Sequence, residues 1–441
     1  MGPSDEPLTD AIVAALADVP PVVRAEAFVY PAAVPAFASV DGAVRPRPSS
    51  DHLRLYVHVP FCAYHCSFCH FATVVGADRA RQARYVEAVV RELAWIEPGT
   101  PLSQLFVGGG TPTALAPDLL DRLLGAVFAR TRPYGTNVHT VEASPESVAP
   151  DHLAVLAAHG IGRVSMGVQS LDDDVLAGVA RGHGRDQALA AIDRLVGAGF
   201  IVNVDLMYGL PGQTEAGFRA AVDEVAAHGV HSMTLYAVRV APTSPVGRAV
   251  AREGRALDLA TLLRWRRVAR DAAAARGYAQ VRGHTFKRRG TLADRHVREA
   301  CHDERVQGLQ LGVGMSARSQ LLDTLYRNRR GFDAYVDAVE AGRSPVDGVM
   351  VLRDEDRATK LIARTIGEGG VLARAAYAAA VGRSLDADHG ATVEELVAAG
   401  LLEAVEAEGG GLRLTETGRL LYDRVLVRFY PPWAVARLRT A

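Results

Sequence analysis

From Leu53 onward the chain alternates short β-branched or apolar runs with long amphipathic stretches, and this alternation limits the fold more than any other feature. A short run followed by a helix-length amphipathic segment is a βα unit, and consecutive units of one hand build a parallel sheet covered by helices. Six strands are expected: Leu53–Val59, Gln104–Val107, Val138–Ala143, Arg163–Val168, Ile201–Met207 and Met233–Val238. Between them, Arg79–Ile96, Asp118–Arg130, Asp151–His159, Arg185–Ala198 and Glu215–His228 carry apolar residues three and four positions apart, the spacing of a helix face. Six such units curl into an α/β fold, a partial (β/α)6 TIM-like barrel. In such barrels chemistry gathers just beyond the C-terminal ends of the strands.

With 441 residues the chain exceeds what one barrel core needs, so appended segments are expected. Residues 1–50 are rich in Pro and Ala, with Val29-Tyr30-Pro31 and Arg45-Pro46-Arg47-Pro48 resisting helix, and read as a wrapping segment. The barrel spans 51–250. An extension over 251–345 reads as helical, with one further Gly-rich strand-like stretch, Leu309–Ser319. In 346–441, helices near Asp354–Glu368 and Val393–Ala399 precede Leu401–Val405, a Gly409-Gly410-Gly411 turn, Leu412–Leu414 and a last helix from about Thr417, an order that suggests a winged-helix-like domain. Residues 392–411 hold no Lys or Arg and several Glu, which favours docking or lid duty over DNA binding.

The charge balance points the same way. Forty-nine basic and fifty acidic side chains leave a net charge of -1, so no global field draws nucleic acid or an anionic membrane. Asp5, Glu6 and Asp10 stand where a secretory signal would be positive, and no apolar stretch approaches the roughly 20 residues of a membrane span; a cytoplasmic protein is expected. Of four cysteines, Cys62, Cys66 and Cys69 crowd into one string and Cys301 stands apart, a distribution unlike a disulfide framework.

That string, Tyr56-Val57-His58-Val59-Pro60-Phe61-Cys62-Ala63-Tyr64-His65-Cys66-Ser67-Phe68-Cys69-His70-Phe71, directly follows the first strand. Three thiolates spaced C-x3-C-x2-C can hold a four-iron cluster and leave its fourth iron open. The alternative is a structural zinc completed by His65 or His70, which is disfavoured because such sites usually pair their ligands in two knuckles. After the second strand comes Val107-Gly108-Gly109-Gly110-Thr111-Pro112, whose glycines expose backbone groups and read as a cradle for an amino acid moiety. Cys301 is discounted as a relay because its stretch is charged and reads as loop, and His284 is a candidate for a substrate pocket.

The cysteine spacing, GGGTP, Glu142 within VEASP, RVSMGVQS and VDLMYGLPGQT together resemble the radical S-adenosylmethionine (radical SAM) superfamily, in its oxygen-independent coproporphyrinogen oxidase-like branch, over nearly the whole chain. The resemblance implies a 4Fe-4S cluster on Cys62, Cys66 and Cys69 that reductively splits SAM to a 5'-deoxyadenosyl radical, with electrons from a donor such as ferredoxin or flavodoxin. It further implies two SAM molecules in one site. Tyr56, Gly109, Glu142 and Arg318 would face the cluster-bound SAM, and Phe68, Gly110, Thr111, Gln169, Arg181, Asp205 and Ala237 would hold the second.

Two departures shape the functional expectation. The oxidases of this branch carry another cysteine two residues beyond the triad, where Phe71 stands here; its heme chaperones carry a His-Asn-x-x-Tyr-Trp string, absent here. The chain is then similar to class C radical SAM methyltransferases, which would methylate or cyclopropanate an sp2 carbon of a small-molecule or modified-peptide natural product, such as a thiazole or other heteroaromatic. A heme chaperone-like heme-binding protein and a porphyrinogen oxidative decarboxylase are the alternatives.

Overall fold

A computed structural model of the chain describes all residues except 1–7, 21–29, 31–34, 41–43, 48–51, 136–137, 239–243, 253–257, 291–308 and 441. Cys301, Val29 and the Pro31 and Pro48 positions lie outside the described residues. Six parallel strands in chain order form the centre: β1 (Leu53–Val59), β2 (Thr100–Gly109), β3 (Thr140–Ala143), β4 (Arg163–Gln169), β5 (Ile201–Tyr208) and β6 (Ser232–Ala237). Their registers place Val57 beside Val107, Val141 beside Val164, Met166 beside Val204 and Leu206 beside Leu235. These apolar residues are fully buried and face the helices. The alternate positions, Arg163, Ser165, Gly167 and Gln169 on β4 and Asn203 and Asp205 on β5, form the opposite, polar face because side chains alternate with period two.

The covering helices are α1 (Arg79–Leu93), α2 (Pro117–Arg130), α3 (Pro150–Ala158), α4 (Arg185–Gly197) and α5 (Glu215–Ala227). Their starts are written in the sequence: Asp78 accepts from the Arg81 N–H, Thr214 accepts from the Gly217 N–H, and Pro117 and Pro150 open α2 and α3. Strand β2 begins four residues earlier than expected, since Thr100–Leu102 pair with a short strand, Thr131–Pro133, at the base of the barrel.

The extension departs from the expected helical segment. After α6 (Leu259–Ala275) the chain forms β7 (Tyr278–Arg282) and β8 (Thr285–Arg288), and β8 pairs antiparallel with β6. On the opposite edge β9 (Leu309–Val313) pairs parallel with β1 and continues antiparallel through β10 (Arg318–Leu321), β11 (Thr324–Asn328) and β12 (Val346–Val351), with α7 (Phe332–Glu340) connecting the last two. Leu309–Ser319 is therefore not one strand. It breaks at Gly314, whose φ of 98° no β-carbon would tolerate there, because that atom would lie 2.6 Å from the His58 carbonyl oxygen.

A second core forms from α8 (Asp354–Gly367), β13 (Leu372–Ala373), α9 (Arg374–Val381), α10 (Leu385–Ala398), β14 (Leu402–Val405), β15 (Gly411–Leu414) and α11 (Glu416–Leu420), with the strands in the order β13-β15-β14. Helix α9 was not expected, and the helix expected at Val393 begins at Leu385. The N-terminal residues Ile12, Leu16 and Tyr30 join this core. Tyr30 donates to Asp356 Oδ1 at 2.6 Å, and its ring meets Tyr430 edge-on at 4.6 Å. Arg266 of α6 crosses to Asp423 in a buried two-pronged ion pair. Among the described residues, no helix is long and apolar enough to cross a membrane.

Candidate functional site

The cysteine loop leaves β1 at the mouth of the barrel and is closed at its base. Phe61 and Cys62 pair with Val74 and Val75, the Val74 N–H donates to the Pro60 carbonyl at 2.8 Å, and the Ser67 N–H donates to that of Val179 at 3.1 Å. All three thiols are free. Burial pushes the Cys62 thiol up to about 11, against a contact with Thr111 and with Cys69 and Cys66 adding to the rise; burial raises Cys69 as well. Thiols held protonated in this way become thiolates only when a metal's positive charge is present, which is the condition a cluster meets. Among the described residues no three His, Cys, Asp or Glu side chains converge on a point that one metal ion could fill.

The Gly108–Gly110 run has a different physical basis from the one expected. Its donors are spent internally: the Gly109 N–H goes to Glu142 Oε2 at 3.0 Å, the Gly110 N–H to the Val59 carbonyl at 2.8 Å, and the Thr111 N–H to the Phe61 carbonyl at 2.7 Å. The glycines are required by closeness. A β-carbon on Gly109, at φ 115°, would lie 2.4 Å from the His58 ring, and one on Gly110 would lie 2.7 Å from the Phe61 carbonyl oxygen. The run thus fixes the cysteine loop against the strand ends, and only indirectly shapes a cradle.

Glu142, on β3, is half-buried, and its desolvation lifts the carboxyl to about 7 against the Gly109 hydrogen bond. Its Oε1 makes no hydrogen bond among the described residues, so it keeps an acceptor for an ammonium. Tyr56 donates to His58 Nδ1 at 2.9 Å while His58 Nε2 donates to the Ala72 carbonyl at 3.1 Å. Burial lowers the His58 imidazole to about 4, so this buttress under Gly109 stays neutral.

Arg181 does not point out to clamp a free carboxylate. Nη1 donates to Cys66 Sγ at 3.3 Å, Nη2 donates to the Gly167 carbonyl, and the buried Nε has no partner. That orphaned donor beside three free thiols fits a site shaped for a further group. Asp205 accepts from Asn203 Nδ2 at 2.7 Å, and burial raises its carboxyl against contacts with Thr234 and Arg163. Gln169 sits at φ 73°, unusual for a residue with a side chain, and accepts from the Tyr236 hydroxyl at 2.9 Å. Thr111 lies 3.8 Å from the Cys62 sulfur. Phe68 packs with Tyr236 on a small cluster that includes Val179, Met207 and Val238, and Ala237 ends β6 beside them. Arg318 stands on the other side, exposed at the start of β10 with its guanidinium 6.0 Å from the Phe37 ring, and it acts electrostatically on Tyr56.

Residues that the sequence reading passed over complete the site. Arg163 enters the barrel interior as the countercharge to Asp205 and Glu142; the alternation of RVSMGVQS, polar at every second position, was the available signal. Glu92 and Tyr85 of α1 hold the turn before Arg318. Glu92 accepts from the Gly314 N–H at 2.7 Å, Tyr335 at 2.7 Å and Asn328 at 2.8 Å, and Tyr85 donates to the His58 carbonyl while accepting from the Met315 N–H. His284, in the β7–β8 turn, meets the Tyr422 hydroxyl at 3.0 Å and walls a cavity of about 20 Å3, room for a water.

Residues 56–225 match the family described as the Radical SAM superfamily. The chain is 36% identical to the heme chaperone HemW of Lactococcus lactis over 160 residues, 36% of this chain and 42% of that protein, so this match spans less than half of the relative. It is 31% identical to the heme chaperone HemW of Mycobacterium tuberculosis over 384 residues, 84% of this chain and 93% of that protein. Among solved structures, coproporphyrinogen III oxidase (HemN) of Escherichia coli, a radical SAM enzyme, superposes with a TM-score of 0.76 at 25% identity, covering 86% of this chain and 90% of that one.

These findings overturn the expected methyl transfer. The relatives matched along most of their length are named for heme chaperoning and coproporphyrinogen oxidation, so the class C methyltransferase reading does not hold, nor does its natural-product substrate. Phe71 and one missing string are local departures, and similarity spread over hundreds of residues outweighs them. With the cysteine loop at the strand ends and a full-length relative above 30% identity, the chain belongs to the radical SAM superfamily, in the branch that holds the heme chaperones and the oxygen-independent coproporphyrinogen oxidases.

Proposed function

We propose that this chain is a heme chaperone-like radical SAM protein: it holds a 4Fe-4S cluster on Cys62, Cys66 and Cys69, binds SAM beside it and carries a tetrapyrrole. The observation that carries the reading is the 31% identity to a heme chaperone over 93% of that protein's length. Phe71, 54% exposed where the oxidases have their extra cysteine, supports chaperone over oxidase. The cluster, when bound, would supply an electron to SAM. The protein's share is placement. Glu142 offers Oε1 to an ammonium, Tyr56 and His58 brace the loop below, and Arg318 brings a positive charge to the same mouth.

Room for a second SAM is part of this proposal, and its support is the gathering of Gln169, Arg181, Asp205, Phe68 and Ala237 around one rim. Asp205 would accept from ribose hydroxyls, and Arg181 would turn from the Cys66 sulfur when that sulfur binds iron. We also read residues 1–50 as the wrapping segment, 51–250 as the barrel, 251–345 as its extension and 346–441 as a winged-helix-like docking domain; a separate apolar core from Ala358 onward supports the last division, with the boundary falling after Val346–Val351, a strand of the main sheet. An electron donor such as ferredoxin or flavodoxin is the expected partner.

The test is a titration of anaerobically reconstituted protein with hemin, paired with an assay for 5'-deoxyadenosine and for carbon dioxide from added coproporphyrinogen III. Saturable one-to-one hemin binding without carbon dioxide is the expected result. Stoichiometric carbon dioxide release would replace the chaperone reading with the oxidase one.

A further inference from the structure

Arg318 comes to the mouth from a turn whose backbone is strained. Gly314 has φ 98° and Ser316 φ 62°, both in the left-handed region, and Ser316 carries a side chain there. Backbone of this kind persists where its surroundings over-determine it. The Tyr85 hydroxyl donates to the His58 carbonyl at 2.7 Å and accepts from the Met315 N–H at 2.9 Å, and Tyr85 is only 1% exposed. Glu92, further along α1, takes the Gly314 N–H on Oε2 at 2.7 Å. Asn328 Nδ2 donates both to Glu92 Oε1 at 2.8 Å and to the Gly314 carbonyl at 2.9 Å.

One hydroxyl thus ties together two parts of the mouth that lie far apart in the sequence. On one side is His58, whose ring lies against Gly109, and the Gly109 N–H holds Glu142 Oε2 at 3.0 Å. On the other side is the turn, and Arg318 follows Ser316 by two residues. Gly312 leaves that return path no slack, since a β-carbon there would lie 2.4 Å from the Arg318 carbonyl oxygen. Glu142 and Arg318 are therefore held apart at a set distance by a side chain that hydrogen-bonds to neither among the described residues. An acceptor and a cation at a set distance match the amino and carboxylate groups of an amino acid moiety.

We propose that Tyr85 is a positioning residue for SAM: through His58 and Met315 it sets Arg318 against Glu142 at the spacing of the amino and carboxylate groups of the methionine moiety. The inference rests on the SAM reading of the mouth above and goes further, because it gives a role in binding to a buried residue of a covering helix.

The experiment is a double-mutant cycle on the reconstituted full-length protein, Tyr85→Phe against Arg318→Gln. Affinity for SAM is read from the change that SAM causes in the electron paramagnetic resonance of the dithionite-reduced cluster, a signal that reports SAM at the iron. Arg318→Gln should weaken binding about tenfold, as expected for the loss of a charged partner. Tyr85→Phe should weaken it about fivefold, and the double variant should be at most about twofold weaker than Arg318→Gln alone, because residues that act as one unit are not additive. Tyr278→Phe is the matched control: its buried hydroxyl donates to the Val230 carbonyl at 2.5 Å on an outer strand of the sheet, and its loss should leave SAM affinity unchanged. Tyr335→Phe removes one of the two donors on Glu92 Oε2 and nothing from Tyr85. It should show the same non-additivity with a smaller effect, and it decides the question if Tyr85→Phe takes up no iron. A double variant weakened about fiftyfold, the product of independent effects, or Tyr85→Phe with wild-type affinity would overturn the positioning role and leave the SAM site intact. Unchanged affinity in Arg318→Gln would remove Arg318 from the mouth and the proposal with it. No SAM-induced change in wild type would overturn the SAM reading as well.

Discussion

The second core is tied to the barrel extension by one buried ion pair whose removal has a calculable effect. Arg266 Nη1 donates to Asp423 Oδ1 at 2.6 Å and Nη2 to Oδ2 at 2.8 Å, and Nη1 also reaches the Leu420 carbonyl at 2.6 Å. Both side chains are less than a tenth exposed. Asp423→Ala leaves the guanidinium buried with one carbonyl, and breaking such a pair from one side costs about 3–5 kcal/mol. Replacing both members, as Arg266→Met/Asp423→Leu, removes the two charges together and is expected within about 1 kcal/mol of wild type, or above it. Urea denaturation followed by far-ultraviolet circular dichroism reads both variants, with limited proteolysis reporting release of the second core from Asp354 onward. If Asp423→Ala costs less than about 1 kcal/mol, or the double variant costs as much as the single, the pair does not hold the two parts together. Although burial alone would raise it, Arg266 holds the Asp423 carboxyl below its ordinary range. Its contribution is therefore complete above the unfolded carboxylate pKa and is lost only as pH falls through the depressed folded value.

Three further outcomes follow from the site. Glu92 has its carboxyl raised by burial from 4.5 to about 7, against hydrogen bonds from Gly314, Tyr335 and Asn328, so it favours folding less as pH climbs from about 4.5 to 7. A shift of that size corresponds to about 3 kcal/mol, and the slope should vanish when urea unfolding of wild type is compared with Glu92→Gln across that range. Gly109→Ala puts a methyl against His58 at a φ of 115°, so SAM affinity measured by equilibrium dialysis should fall at least tenfold; unchanged affinity would mean the loop can move aside. The triple variant Cys62→Ala/Cys66→Ala/Cys69→Ala should carry no iron after anaerobic reconstitution, whereas Cys301→Ala should carry about four irons per chain; retained iron in the triple variant would refute the cluster assignment.

The parallel barrel was legible because its strands are buried on the helix side and show it as unbroken apolar alternation. Leu53–Val59 was read to the residue. The antiparallel additions were not, since β10, β11 and β7 are four or five residues long and carry Arg, Gln and Thr at alternate places, a pattern that also describes loop. Helix α9 was hidden in the same way: LARAAYAAAVG is so uniformly small and apolar that no face stands out.

The candidate site divides along a similar line. Local sequence determined the cysteine spacing, the glycine run and the strand ends that carry them, because each depends on backbone geometry over a few residues. Only the tertiary structure decided what those residues touch. Arg181 turns to Cys66 across 115 positions, and Glu92 reaches Gly314 across 222, contacts that depend on where β4 and β9 lie in the sheet.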